Sequence, residues 1–178
     1  MFEDSSDFHD YYRTRQGRHV AMRLRRTVGD FWSRAPNACN VAIGYPPPVL
    51  RTEERPPVLS FTPMRLGPRP WPPTGPNRSA LVNSRSMPLQ NVQLDRLLLV
   101  HALEFDPSPS RLLDECWRVL DGAGRLLVIV PNRNGLWARA EKTPFGHGRP
   151  FSRGQLRKLL ADHGFKPVRA QTALFMPP

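Results

Sequence analysis

Two apolar runs with a helical pattern between them constrain this chain more than any other feature. Leu94 to Val100 carries Leu94, Leu97, Leu98, Leu99 and Val100, and Leu126-Leu127-Val128-Ile129-Val130 is apolar at every position and closed by Pro131. Neither run alternates with polar residues, which is the pattern of strands buried on both faces of a parallel sheet. Between them Pro107 and Pro109 mark a helix start, with Ser108 or Asp106 as its cap. Leu112, Leu113, Cys116, Trp117 and Leu120 form its apolar face, and Asp121-Gly122-Ala123-Gly124 turns the chain. Parallel strands need such crossovers, and the crossover helices then cover the sheet.

The rest of the chain extends the same alternation. Asn40 to Tyr45 is a short strand ending in Gly44 and Tyr45, followed by Pro46, Pro47 and Pro48. A helix after it can start only near Pro48 and run through Val49 to Glu54, before Pro56 and Pro57. Val58 to Thr62 and Ser79 to Val82 are further strands, and Pro68 to Pro76 is an extended loop. Ser152 with Gln155 forms a capping box for a last helix, with Leu156, Leu159 and Leu160 inward and His163-Gly164 at its end. Phe165 to Phe175 is strand-like. At the other terminus, residues 1 to 11 form a frayed acidic lead-in, and Tyr12 to Trp32 is a basic amphipathic helix with Val20, Leu24, Val28 and Phe31 on its apolar face. Gly17 weakens its first turn. The division is an N-terminal arm and covering helix, 1–35, and an α/β domain, 36–178, with a Pro-rich insertion around 63–78.

Charge and cysteine content narrow the function classes. The net charge is +11, but 23 of the 26 basic residues are arginine and they are spread along the chain. Dispersed charge is a weaker sign of a nucleic-acid partner than a stripe, so the Arg23, Arg25, Arg26 face keeps RNA as a minor reading. No apolar run reaches membrane-spanning length, and the acidic N-terminus is no secretory signal. Cys39 and Cys116 are too few for a disulfide framework or a zinc site, which indicates reduced thiols in the cytoplasm and no metal. Nucleophile-elbow, phosphate-loop and zinc-protease motifs do not occur, so hydrolase, nucleotide-hydrolysing and metalloenzyme readings lack local support. In open parallel sheets ligands bind beyond the carboxyl ends of the strands, at the point where strand order reverses. That directs attention to Gly44 and to the loops after Val82 and Val100.

The segment Leu94-Asp95-Arg96-Leu97-Leu98-Leu99-Val100-His101-Ala102-Leu103-Glu104-Phe105, followed by Leu113-Asp114-Glu115-Cys116-Trp117-Arg118-Val119-Leu120-Asp121-Gly122-Ala123-Gly124-Arg125-Leu126-Leu127-Val128, resembles the second half of class I S-adenosylmethionine-dependent methyltransferases, most closely the type 11 group. Met87-Pro88-Leu89 fits the segment that precedes the fourth strand there. The resemblance covers roughly Val41 to Phe175, with its specific part from Ser84 to Val130. It implies a Rossmann-like three-layer α/β sandwich with a mostly parallel sheet, and S-adenosyl-L-methionine as cofactor. By the same resemblance Gly44, Tyr45, Asn83, Ser84, Val100 and His101 are the cofactor contacts. Read from the residues themselves, Glu104, Trp137 and His147 are candidates to face a methyl acceptor that the sequence does not identify, with helix capping, packing and an ordered surface loop as their respective alternatives; His101, otherwise pocket wall, and His147 are the candidates for catalysis.

This chain departs from the family pattern in ways that bear on the cofactor. The first loop, Gly44-Tyr45-Pro46-Pro47-Pro48, has one glycine where the family has three. Ser60-Phe61-Thr62-Pro63 lacks the carboxylate that usually holds the ribose, and Asn83 stands for the usual aspartate. Of the 21 prolines, 11 lie between Pro46 and Pro76, across the region that should grip the cofactor. After Phe165 to Phe175 no residues remain for the family's last antiparallel strand. The expectation is a methyltransferase; the alternative is a degenerate, non-catalytic binding protein whose pocket is partly filled by Tyr45 or the Pro-rich segment.

Overall fold

The computed structural model describes residues 4–32, 38–50 and 57–174. Its sheet has five strands: β1 (Asn40–Gly44), β2 (Val58–Pro63), β3 (Ser79–Val82), β4 (Leu94–Val100) and β5 (Leu120–Ile129). Their order is β3-β2-β1-β4-β5, with every neighbouring pair parallel. The order reverses between β1 and β4, which places the ligand crevice there.

Alternation along the strands sorts their side chains between two cores. Ala42, Leu98 and Val100 join one cluster, together with Phe8, Val20, Leu24 and Val28 from two N-terminal helices, α1 (Ser5–Arg13) and α2 (Arg15–Phe31). Val41, Ile43, Leu97 and Leu99 join the other, under α3 (Pro109–Val119), with Leu156, Leu159 and Leu160 of α4 (Arg153–Asp162) packed against it. Helices thus cover both faces, as the sequence implies. The capping box at Ser152 and Gln155 also forms as expected.

Several expectations are corrected. Residues 4–13 are not a frayed lead-in. Asp4 caps α1, accepting from the Ser6 and Asp7 N–H groups at 2.7 and 3.2 Å, and the Asp7 carboxylate completes a capping box. Phe8 is fully buried. Gly17 does more than weaken a turn: a Cβ there would overlap the Tyr11 carbonyl, so glycine lets α2 pass close behind α1. Pro46 to Leu50 forms only a turn, in which Val49 and Leu50 N–H groups donate to the Pro46 carbonyl; the remainder of the helix expected up to Glu54 lies outside the described residues. Trp117 is 56% exposed and meets Phe165 edge-on rather than entering the core. The Leu126 to Ile129 run is half-buried because β5 is the outermost strand. Residues 165–174 form no strand. Pro167 has no N–H for a ladder, and the Arg169 guanidinium lies 4.2 Å over the Phe31 ring.

The Glu115 and Arg118 pair of α3 has a clear structural task. The Met87 N–H donates to Glu115 Oε1 at 2.6 Å, and Arg118 donates to Glu115 Oε2, the Leu89 carbonyl and Asn91 Oδ1 at 2.8, 2.9 and 2.7 Å. The clamp fixes the loop that leads into β4. The Arg118 guanidinium, with help from the Met87 N–H, holds the Glu115 carboxyl below its ordinary value of 4.5 against the opposing effect of burial. A depressed carboxyl stabilises the fold above its unfolded value and loses that contribution as pH falls through the folded one. Arg118→Ala is expected to lower stability by about 2–3 kcal/mol, the scale of hydrogen bonds to charged groups. In urea melts of wild type and Glu115→Gln, the difference should be full at neutral pH and vanish in acid; a pH-independent gap would refute the clamp.

Candidate functional site

The site is built where β1 and β4 end side by side. Gly44 pairs with Val100, and the Tyr45 N–H donates to the Val100 carbonyl at 2.7 Å. Gly44 has φ +100, and a Cβ on it would overlap the Val100 carbonyl oxygen and stand 2.9 Å from Ala102 Cβ. The close approach that this glycine permits is therefore to β4 itself, not only to a ligand. β4 then breaks sharply: His101 has φ +50, in the left-handed region. A non-glycine residue held there is strained, a feature that clusters at functional sites.

His101 and Glu104 are each 1% exposed and joined, Nδ1 to Oε1, at 3.2 Å. The other ring nitrogen, Nε2, lies 2.7 Å from the Tyr12 hydroxyl. Phe8 stacks on Tyr45 with centroids 5.1 Å apart and lies 4.9 Å from the His101 ring and 5.5 Å from Phe105. Phe145 closes the far side, 5.2 Å from His101, and Trp137 packs edge-on against it. Burial pushes the Tyr45 phenol up to about 12, against a downward pull from Arg69.

The structure brings Gly44, Tyr45, Val100, His101 and Glu104 together, with Trp137 behind Phe145. Asn83 is set apart: it is exposed and its Oδ1 accepts from the Arg85 N–H at 3.0 Å. Ser84 donates to Asp106 Oδ2 at 2.8 Å. His147 has its Nε2 at 2.6 Å from the Glu141 carbonyl, while its neighbours Gly148 and Arg149 lie against the Glu104 carbonyl, which accepts from the Arg149 N–H at 2.8 Å. His147 therefore borders the site through the backbone of its loop. Among the described residues no group of three or more His, Cys, Asp or Glu is placed to hold a metal.

Phe8 and Tyr12 were not among the expected site residues, nor were Phe105, Phe145 and Asp106, the last expected only as a helix cap. The signal for the first two is local: Asp4 and Asp7 form a capping box, and Phe8, Tyr11 and Tyr12 follow at the i, i+3, i+4 spacing of one helix face.

The polar groups present fit S-adenosylmethionine in part. Glu104 Oε2 is buried with no hydrogen-bond partner, and a buried carboxylate oxygen without a donor is a place for a ligand's ammonium or hydroxyl group. The Asp106 and Ser84 pair adds polar groups at the same strand ends. Against this, Phe8 and Tyr12 of α1 fill the space over Tyr45 and His101, and the three prolines offer no N–H. Binding there requires α1 to move.

No protein-family model matches the chain. It is 34% identical over 98 residues to a probable S-adenosylmethionine-dependent methyltransferase of Mycobacterium tuberculosis, a match over 54% of this chain that covers only 35% of the relative's length. A SAM-dependent methyltransferase from Thermotoga maritima, described as a possible histamine N-methyltransferase, superposes with a TM-score of 0.66 over 91% of this chain and 78% of its own, at 19% identity. The [4+2]-cyclase SpnF superposes with a TM-score of 0.61 at 19% identity, over 83% of this chain and 57% of its own. The fold is that of the class I S-adenosylmethionine-dependent methyltransferases, as the segment from Leu94 to Val128 implies. The same fold carries a cyclase, so the fold does not by itself decide the reaction.

Proposed function

We propose that the protein binds S-adenosylmethionine at the carboxyl ends of β1 and β4 and transfers its methyl group to an acceptor. One observation carries this reading: Gly44, His101 and the unpartnered oxygen of Glu104 meet where the strand order reverses. Gly44, Tyr45, Val100 and His101 would line the cofactor, with Ser84 and Asn83 at its adenine end, and Glu104, Trp137 and the His147 loop would face the acceptor. When bound, the cofactor supplies an electrophilic methyl group on a sulfonium with a neutral thioether as leaving group, so the protein's share is alignment and proton removal. The free thiols Cys39 and Cys116 support a cytoplasmic setting, and no described helix is long and apolar enough to cross a membrane.

The second reading is a non-catalytic binding protein. Its support is the filled site: Tyr45 is 2% exposed and Phe8 not at all. Calorimetric titration of the full chain with S-adenosylhomocysteine separates the two. Saturable heat is expected; no heat at millimolar ligand would overturn the cofactor claim and leave the second reading.

A further inference from the structure

Glu104, His101 and Tyr12 form a buried chain of three groups with one direction of proton flow. The Glu104 carboxylate can only accept, so the 3.2 Å contact puts the imidazole proton on Nδ1. In the neutral tautomer with its proton on Nδ1, Nε2 presents a lone pair, and the Tyr12 O–H, 2.7 Å away, is then the donor to it. Burial pushes the Tyr12 phenol well above its ordinary range, with Tyr11, Glu104 and Tyr45 adding to the effect, so its proton stays on oxygen. A neutral imidazole oriented by a carboxylate and aimed at a hydroxyl is the arrangement of a general base with its substrate.

The surroundings are shaped for a flat ring. Tyr45 lies nearly parallel to Tyr12, 15° between planes and 6.2 Å between centroids, and Phe145 flanks His101. We propose that Tyr12 holds the place of the methyl acceptor, and that the acceptor is an aromatic hydroxyl compound whose ring stacks on Tyr45 and whose O–H donates to His101 Nε2. This rests on the cofactor reading above.

In the step, the phenol oxygen bonds to the methyl carbon, the carbon–sulfur bond breaks with its electron pair left on sulfur, and the phenol proton passes to His101 Nε2. The products are an aryl methyl ether and S-adenosylhomocysteine, and the imidazolium returns its proton to solvent. His101 is the catalytic residue; Glu104 is a positioning residue that keeps Nδ1 protonated and stabilises the imidazolium.

The test uses the full chain saturated with S-adenosylhomocysteine and 4-nitrophenol as probe, at a pH where the free probe is protonated. Wild type should bind the probe and develop the nitrophenolate absorbance. His101→Gln should bind it without that band, and in the chain without S-adenosylhomocysteine, where α1 is docked, Tyr12→Ala should bind it about tenfold more tightly than wild type because the stand-in is gone. With S-adenosylmethionine, 4-nitrophenol should be methylated and benzylamine and benzoate not. Glu104→Gln should lower kcat about tenfold, more than it raises the KM of either substrate. Thermal melts with a retained transition show that each variant is folded. An unchanged band in folded His101→Gln, unchanged probe affinity in Tyr12→Ala, or methylation of the amine or acid instead of the phenol overturns the proposal. If S-adenosylhomocysteine itself gives no heat, the cofactor reading has failed first; if it binds and the phenol arms fail, only the acceptor class has failed.

Discussion

Phe8→Ala is expected to raise the affinity for S-adenosylhomocysteine by roughly 10- to 100-fold. Phe8 is fully buried against Tyr45, His101 and Phe105, the first two being residues proposed to line the cofactor. Ligand binding then competes with α1 docking, and apparent affinity falls by the fraction of molecules in which α1 is away. Removing a buried Phe side chain forfeits about 3–5 kcal/mol of packing, and 1.4 kcal/mol is a factor of ten in binding. The gain should stay below that ceiling, because the truncated helix keeps its contacts to α2 and because part of the loss is global. The control is Leu112→Ala, which empties the opposite core: its melting temperature should fall with no change in affinity. Equal affinity of wild type and Phe8→Ala would show that α1 does not stand in the ligand's place.

Gly44→Ala is expected to be the most damaging single methyl that can be added to the sheet. The new Cβ overlaps the Val100 carbonyl oxygen, a backbone atom that cannot rotate away, and φ of +100 is disfavoured for alanine. Overpacking of about 1–3 kcal/mol and backbone strain of about 1–3 kcal/mol act together. For a chain of this size each kcal/mol lowers the melting temperature by about 2–4 °C, so a loss of roughly 10 °C or more is expected. Gly29→Ala is the counterpart. It lies in α2 with nothing within 4 Å of its Cβ, and should stabilise by about 0.5–1 kcal/mol through helix propensity. A melting temperature for Gly44→Ala within two degrees of wild type would refute the close approach of β1 to β4.

Much of the frame was legible in the residues. Continuous apolar runs can be satisfied only between two covering layers, so Leu94 to Val100 and Val41 to Ile43 declare a parallel sheet without reference to any neighbour. The capping box of Ser152 and Gln155 is equally local. The rule for open parallel sheets narrowed the crevice to Gly44 and the loops after Val82 and Val100, and the strand order β3-β2-β1-β4-β5 placed it between β1 and β4. Local rules did not reveal whether Trp117 and the β5 run are buried, since an apolar residue on an outermost element looks the same in sequence as one in the core.

What the sequence alone determined is therefore the layer structure, the parallel strands and the residues at their carboxyl ends, because these follow from hydrophobic period and capping over a few residues. What only the tertiary structure decided is the occupant of the site. Tyr12 and His101 are 89 residues apart in the chain, and no periodicity links them. Their hydrogen bond exists because the capped first helix folds back over the ends of β1 and β4, burying Phe8. That one packing event turned an expected loose N-terminus into the cover of the candidate active centre.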